Sequence, residues 1–194
     1  MDNMQSALLA GLPGLGLSLP NGAAETMCAF GHALLEKNQV MNLTAITDPE
    51  QVAKLHFLDS LTLLTLADFR QKRVIDVGCG GGFPGVPLKI ACPEMELTLL
   101  DSLGKRMAWL AETLSSLNIT ASCITARAEE AVASRREQFD FAVFETFHHG
   151  VFLLFFHLAV YQADFVAESL LQNFETVFGS RQIDFFRLFD QRAD

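Results

Sequence analysis

The chain has 194 residues, a length that suits a single domain with a small extension. Half of its residues are apolar and 19% are charged, so it can bury a full core and is not expected to be disordered. The 14 basic and 23 acidic residues give a formal net charge of −9. This balance excludes a protein that binds nucleic acid by bulk charge alone, but it is compatible with a local basic patch.

The cysteines indicate a reducing compartment. Cys28, Cys79, Cys92 and Cys123 form no Cys-x-x-Cys pair and no zinc-binding spacing, so we expect no metal site. The N-terminus lacks the basic and apolar regions of a secretory signal. The longest apolar run, Val151 to Tyr161, is too short to span a bilayer. We therefore expect a cytoplasmic protein with free thiols and no membrane partner.

The first part of the chain, from Met1 to about Gln71, is predicted to be a helical extension. Asn21 to Lys37 carries apolar residues at helical spacing. Asp48-Pro49-Glu50-Gln51 has the cap residue, the first-turn proline and the capping-box position of a helix start. The leucine-rich stretch 58–66 is predicted to be helical as well.

The second part, residues 72–143, alternates short apolar strands with helices. The predicted strands are 74–77, 96–100, 121–125 and 139–143, and the predicted helices are 84–91 and 104–117. This alternation with short loops predicts an α/β fold with a parallel sheet covered by helices. The crossover connections are expected to be right-handed.

The third part, residues 144–194, differs in composition. It holds 11 of the 17 phenylalanines, no proline, no lysine and only two glycines. We expect helix over much of residues 150–176. The break in composition indicates either a second module or a segment that does not belong to the original fold.

The most informative stretch is Asp76-Val-Gly78-Cys-Gly80-Gly-Gly82-Phe83-Pro84-Gly85, which joins a predicted strand to a predicted helix. Its glycines allow a sharp turn and the close approach of a ligand. Gly80 to Gly85 fits the dinucleotide pattern Gly-x-Gly-x-x-Gly, which is weak alone. Asp76 at the strand end would repel a pyrophosphate but suits a cationic nucleoside such as S-adenosylmethionine. A tight turn without ligand is the remaining interpretation.

Two further acids follow the next predicted strands. Asp101 lies 23 residues after Gly78, where a carboxylate can accept both ribose hydroxyls. Asp101 is also explained as the N-cap of the helix that begins near Gly104, and both interpretations can hold because Ser102 can serve as that cap. Glu129 follows the third strand with Ala128, where the loop would face an adenine. Glu129 is equally well explained as a first-turn acid of a short helix.

Five segments in order carry a resemblance to a known family. They are Asn42-Leu-Thr-Ala-Ile46, His56-Phe-Leu-Asp-Ser60, the glycine loop through Gly-Phe-Pro-Gly85, Leu100-Asp-Ser-Leu103 with Lys105-Arg106, and Arg127-Ala-Glu129. The set resembles the bacterial small-subunit (16S) rRNA guanine-N7 methyltransferases, also called the glucose-inhibited division protein B family, over about residues 25–143.

The resemblance implies a Rossmann-like class I S-adenosylmethionine-dependent methyltransferase fold, with S-adenosyl-L-methionine as cofactor and 16S rRNA or the ribosomal particle as partner. The implied cofactor-binding residues are Gly78, Phe83, Asp101, Ser102, Ala128 and Glu129. Guanine N7 has a lone pair and no proton to lose, so we name no catalytic acid or base. We expect a monomer.

Neighbours of the pocket implied by the resemblance are Asn42, His56 and Asp59, although a core or helix-surface histidine is the commoner role for a residue such as His56. Lys105, Arg106 and Arg127 are candidates for phosphate contacts or for a solvated helix face. Trp109 is expected in the core.

The segment after the fourth predicted strand departs from the family. Glu145 stands where the family has an arginine, and the later Pro-Gly-Gly-type turn is absent. Two alternatives therefore stand beside the methyltransferase: an NAD-dependent oxidoreductase, and a degenerate methyltransferase-like domain without turnover.

Overall fold

The computed structural model describes residues 2–128, 130–131, 138–143 and 159–160. Glu129, Glu145 and most of the phenylalanine-rich segment 144–194 lie outside the described residues. The helices are α1 Asn3–Leu15, α2 Ala23–Met41, a composite helix α3 over residues 49–65, α4 Gly85–Ala91 and α5 Gly104–Ser116. The strands are β1 Arg73–Val77, β2 Glu96–Asp101, β3 Ser122–Thr125, β4 Phe141–Val143 and β5 Ala159–Val160.

Helix α1 was not predicted, although its signals are in the sequence. The Asp2 carboxylate accepts a hydrogen bond from the amide of Gln5 at 2.8 Å, so Asp2 is the N-cap. Met4, Leu8 and Leu12 are four residues apart and are all buried. The helix ends at Gly16, whose φ of 66° is left-handed.

Helix α3 begins where the sequence predicts. Asp48 is the N-cap and accepts the amide hydrogen of Gln51 at 2.9 Å, with Pro49 in the first turn. The helix consists of α-helical Pro49–Val52, π-helical Ala53–Leu58, α-helical Asp59–Leu61 and 3-10-helical Thr62–Thr65. The π-helical part contains His56, and such turns are found often near functional sites.

The sheet has the strand order β3-β2-β1-β4-β5. The first four strands are parallel, as predicted, with Asp76 opposite Leu99 and Val77 opposite Leu100. Strand β5 is antiparallel to β4, with Ala159 opposite Ala142. The prediction of helix through residues 159–160 is therefore wrong, because these two residues satisfy the open edge of β4 instead.

The three N-terminal helices and the sheet share one continuous core. Its members include Phe30 of α2, Phe57 of α3, and Val74 and Leu99 on one face of the sheet. On the opposite face, Ile75 and Leu100 pack with Ala131 in a smaller cluster. Alternate strand residues face opposite sides, so Asp76 shares the face of Val74, toward the helices. Within the described part of the chain, no helix is long and apolar enough to cross a membrane.

Candidate cofactor site

The glycine loop lies at the carboxyl edge of the sheet, between β1 and α4. The chain proceeds from β1 outward to β2 and β3, and then returns to place β4 on the other side of β1. Such a reversal opens a crevice beyond the carboxyl ends of the strands, and ligands of this fold class bind there. The loop, the end of β2 and the end of β3 all meet at this edge.

Most amides of the loop are bonded to protein acceptors. Those of Gly78 and Cys79 donate to the Leu100 carbonyl at 2.7 and 3.1 Å, and the amide of Gly80 donates to Asp101 Oδ2 at 3.0 Å. The amides of Gly82 and Phe83 both donate to the carbonyl of Cys79. A pyrophosphate site needs such amides to be available, so this loop is poorly suited to a dinucleotide.

The start of helix α4 is occupied by a carboxylate of the chain itself. Asp76 is fully buried, and its Oδ2 accepts the amide hydrogen of Gly85 at 2.8 Å. A Cβ at Gly85 would lie 2.7 Å from the same oxygen, so only glycine fits there. Asp76 therefore organises the loop and occupies the start of α4, where a phosphate would otherwise approach.

The two sides of the loop differ in the space beside them. A Cβ at Gly78, where φ is 73°, would meet no atom within 4 Å. A Cβ at Gly82, where φ is 99°, would lie within 3.0 Å of Val86, Leu110 and Phe30. The loop is thus open at its beginning, where a ligand has room, and packed at its end.

Asp101 connects the loop to the next turn. Its side chain is 7% exposed, and its Oδ1 accepts the amide hydrogen of Leu103 at 2.8 Å while Oδ2 accepts that of Gly80. Arg106 approaches Oδ2 at 3.9 Å. Each carboxylate oxygen has a second acceptor direction, so Asp101 can still accept two hydroxyl groups.

Ser102 and Leu103 follow Asp101 at the rim. The suggestion that Ser102 caps α5 is wrong, because Leu103 is the N-cap and no side chain bonds the cap position. Ser102 is exposed and Leu103 is 50% exposed. An exposed leucine beside the crevice was missed by sequence reasoning, and only its position after Asp101 could have indicated it.

Ala128 lies three residues after the end of β3, half-buried beside the small cluster of Ile75, Leu100 and Ala131. The amide of Ala126 donates to the Asp101 carbonyl at 3.2 Å and holds this turn against the end of β2. Gly78, Asp101, Ser102 and Ala128 are therefore all placed at one edge of the sheet. Glu129, the remaining predicted residue, is among those not described.

Phe83 differs from the other predicted residues because its side chain is in the core. It is 3% exposed and packs against Phe30 and His56. Any contact of Phe83 with a ligand would go through its backbone. His56 is also 3% exposed, and burial lowers its pKa to about 4. The interpretation of His56 as a core residue is confirmed, but its contact is with the loop itself.

Asp59 and Asn42 were expected near the pocket. Asp59 Oδ2 is buried and has no hydrogen-bond partner among the described residues, and burial raises the pKa of Asp59 to about 7. Asn42 is the exposed left-handed C-cap of α2. Neither side chain is placed against Gly78 or Asp101 by a hydrogen bond.

The remaining sequence predictions concern side chains around the rim and in the core. Lys105 and Arg127 are exposed, and Arg106 is half-buried near Asp101. Trp109 is 7% exposed and stacks on Phe30, which confirms its core position. All four cysteines are free. Burial raises the pKa of the Cys79 thiol strongly, so this loop residue is kept uncharged.

A parallel sheet with a reversed strand order, a glycine loop after its first strand and an acid at the end of its second defines a Rossmann-like α/β fold. The GidB family model, described as rRNA small subunit methyltransferase G, matches residues 23–159. The chain therefore belongs to this family. The match begins near the predicted residue 25 and continues 16 residues beyond residue 143, into the segment for which we expected no similarity.

Curated relatives carry the name ribosomal RNA small subunit methyltransferase G. The relative from Acetivibrio thermocellus is 39% identical over 72% of this chain and 59% of its own length. The relative from Alkaliphilus metalliredigens is 42% identical over 66% of this chain and 56% of its own. The relative from Coxiella burnetii is 40% identical over 71% of this chain and 65% of its own. The chain thus matches about three-fifths of the length of these relatives.

One solved structure is similar at a lower level. It is described as a protein-L-isoaspartate O-methyltransferase from Plasmodium falciparum in complex with S-adenosyl-L-homocysteine. The TM-score is 0.49 and the identity 15%, over 81% of this chain and 88% of that chain. The family assignment does not depend on it.

Proposed function

We propose that the chain binds S-adenosylmethionine and methylates N7 of a guanine in 16S rRNA. The observation that carries the proposal is the glycine loop of a GidB-family chain, with most of its amides bonded to protein acceptors and an open side at Gly78. A ligand without phosphate fits this arrangement. The relatives named as small-subunit rRNA methyltransferases supply the substrate class.

The charges of the crevice support a cationic ligand. Two carboxylates, Asp76 and Asp101, are buried at the ends of neighbouring strands, and Arg106 is 3.9 Å from one of them. An ionised carboxylate in a site of low dielectric attracts a positive group more strongly than one in water does. S-adenosylmethionine carries an ammonium and a sulfonium, and when bound it supplies an electrophilic methyl group. The donor set therefore fits this cofactor better than it fits a nicotinamide dinucleotide.

Each residue proposed to hold the cofactor contacts a part of it that is set by the position of the residue at the sheet edge. Gly78 and the Phe83 backbone line the loop, Asp101 accepts the ribose hydroxyls with Ser102 beside it, and Ala128 and Glu129 face the adenine. These residues bind and orient. Because N7 loses no proton, the chain has only to hold the base in line with the methyl group, and proximity provides most of the rate.

Recognition of the substrate is proposed to depend on shape. A chain with a net charge of −9 gains little from general phosphate attraction. An assembled small-subunit particle would present the target base already positioned and unstacked. We further propose that the chain acts as a monomer in the cytoplasm, where this substrate lies, without a metal ion.

The test uses small-subunit particles from a bacterial strain that lacks its own enzyme of this family. The particles and, separately, protein-free 16S rRNA are incubated with the chain and S-adenosylmethionine. Nuclease digests are then analysed by mass spectrometry. We expect 7-methylguanosine from the particles with the wild-type chain and at least tenfold less with Asp101→Ala. Absence of 7-methylguanosine from both substrates contradicts the proposal.

The degenerate domain stays a second candidate because of Glu145, which replaces the arginine of the family. It predicts binding of S-adenosylhomocysteine without methylation of either substrate. Glu145→Arg separates two causes of such a loss. Restored methylation assigns the defect to this position, and no change assigns it to the whole segment after residue 143.

A further inference from the structure

A polar bracket formed by Asn38, Thr44 and His56 connects the N-terminal helices to the glycine loop. Asn38 Oδ1 accepts the amide hydrogens of Leu43 and Thr44 at 2.6 and 2.9 Å, and its Nδ2 donates to the Thr44 carbonyl at 2.9 Å. These bonds fix the connector after α2 in one conformation. The bracket therefore presents the Thr44 hydroxyl in a defined place.

The Thr44 hydroxyl holds the edge of the His56 ring. Thr44 Oγ1 lies 2.8 Å from His56 Nε2 and accepts the amide hydrogen of Ile46 at 3.0 Å. The ring is buried, and its lowered pKa keeps it neutral at physiological pH. A buried neutral imidazole with one fixed edge has little freedom to rotate.

The face of the His56 ring packs against the glycine loop. His56 stacks on Phe83 with ring centroids 4.3 Å apart and an angle of 14° between the planes. The Phe83 amide donates to the Cys79 carbonyl at 3.0 Å, so the position of the ring is coupled to the turn of the loop. A Cβ at Gly81 would lie 3.6 Å from the Leu43 carbonyl, so the connector approaches the loop at a second place.

We propose that His56 is a positioning residue that sets the glycine loop in its cofactor-binding conformation. This inference rests on the proposed function, because it concerns the same site. The role requires a flat ring that stacks on Phe83 and an edge nitrogen that bonds Thr44. Phenylalanine at this position would stack without the hydrogen bond, and glutamine would bond without the stacking. Thr44→Val removes the hydroxyl from the other side, and with it the acceptor of the Ile46 amide.

The chain contains a spectroscopic probe for this role. Trp109 is the only tryptophan, and it stacks on Phe30 with ring centroids 6.2 Å apart. Phe30 in turn packs against Phe83, with ring centroids 5.8 Å apart. Trp109 emission should therefore respond to movement of the loop. Well below the melting temperature it should not respond to a general loss of stability, because the chain is still folded there.

The experiment measures S-adenosylhomocysteine binding by calorimetry and by Trp109 emission in the full chain. The variants are His56→Phe, His56→Gln, Thr44→Val and the double variant His56→Phe with Thr44→Val. His32→Gln is the matched control, because His32 is exposed and pairs only with Asp2 at 2.6 Å among the described residues. Thermal unfolding of each variant defines a temperature at which all are folded.

We expect each single variant to raise the Kd about tenfold, roughly the loss of one buried hydrogen bond or stacked pair. The Kd of the double variant should be no higher than that of the single variant that binds more weakly, because both substitutions break the same connection between Thr44 and His56. His32→Gln should bind as the wild type does. Wild-type Kd values in folded variants at position 56 and in Thr44→Val would overturn the inference. Failure of the wild type itself to bind would instead overturn the proposed function.

Discussion

Gly78 and Gly82 are four residues apart in one loop, yet they have opposite surroundings. A Cβ at Gly78 would stand in open space, whereas one at Gly82 would press against Val86, Leu110 and Phe30. The open side has room for a ligand, and the packed side joins the loop to the helical core. A glycine-rich motif therefore combines two physical requirements, and substitutions at its two ends should fail in different ways.

The largest effect is expected at the packed side. Gly82→Ala adds a methyl group to a filled space at a left-handed φ, which costs about 3 kcal/mol. For a chain of this length this lowers the melting temperature by about 6–12 °C. Circular dichroism during heating measures it. Gly14→Ala in α1, where a Cβ meets no atom within 4 Å, should leave the melting temperature unchanged or slightly higher. Equal losses of melting temperature in Gly82→Ala and Gly14→Ala would contradict the tight packing assigned to Gly82.

Asp101 bonds the loop at Gly80, between the open side at Gly78 and the packed side at Gly82. Asp101→Ala removes the acceptor of two backbone amides as well as the proposed ribose contacts, so we expect the Kd for S-adenosylhomocysteine to rise about 100-fold. Asp101→Asn keeps one acceptor oxygen and should lose less. Asp68→Asn, at an exposed carboxylate paired with Arg70, is the control for lost charge. Calorimetry with wild-type affinity in Asp101→Ala would show that the acid only organises the turn.

Gly78→Ala should show the reverse of Gly82→Ala. Its left-handed φ costs about 1 kcal/mol, but no atom is displaced. We expect a small change in melting temperature and about a tenfold higher Kd for S-adenosylhomocysteine, because the methyl group occupies the ligand's space. A stability loss as large as that of Gly82→Ala, with unchanged affinity, would contradict the assignment of the open side.

The smallest effect concerns the pH dependence of stability. Burial raises the pKa of Asp59 to about 7, so stability is lost as the pH rises from about 4 through 7. Burial lowers the pKa of His56 to about 4, so stability is lost as the pH falls from about 6.5 toward 4. Asp59→Asn removes only the first effect. We expect its melting temperature to exceed the wild-type value by about 2–4 °C at pH 8, by less at pH 5, and to equal it near pH 4, below which both forms are neutral.

Prediction from the sequence succeeded where local signals, such as apolar runs and cap residues, agree with the burial that the fold imposes. The four parallel strands have apolar runs, and Asp48 caps its helix as expected. Asp101 was placed at the crevice because strand ends meet at one edge of a sheet. Ser102 is a possible cap by sequence, but Leu103 is the N-cap, since the exact residue at a helix start depends on the turn that precedes it.

The burial of Phe83 could not be predicted from the motif. Its partners, Phe30 and His56, lie more than 25 residues away in the sequence, so only the packing of helices α2 and α3 on the loop brings them together. Strand β5 was missed for a related reason. A two-residue strand in an apolar run has no periodicity, and its pairing with β4 is set by an available edge.

The most direct measurement is a pair of calorimetric titrations of the full chain, one with S-adenosylhomocysteine and one with NAD. An open loop whose amides are already bonded to the chain predicts saturable one-to-one binding of the thioether nucleoside and no heat from the dinucleotide. Saturable binding of NAD, with none of S-adenosylhomocysteine, would contradict this account.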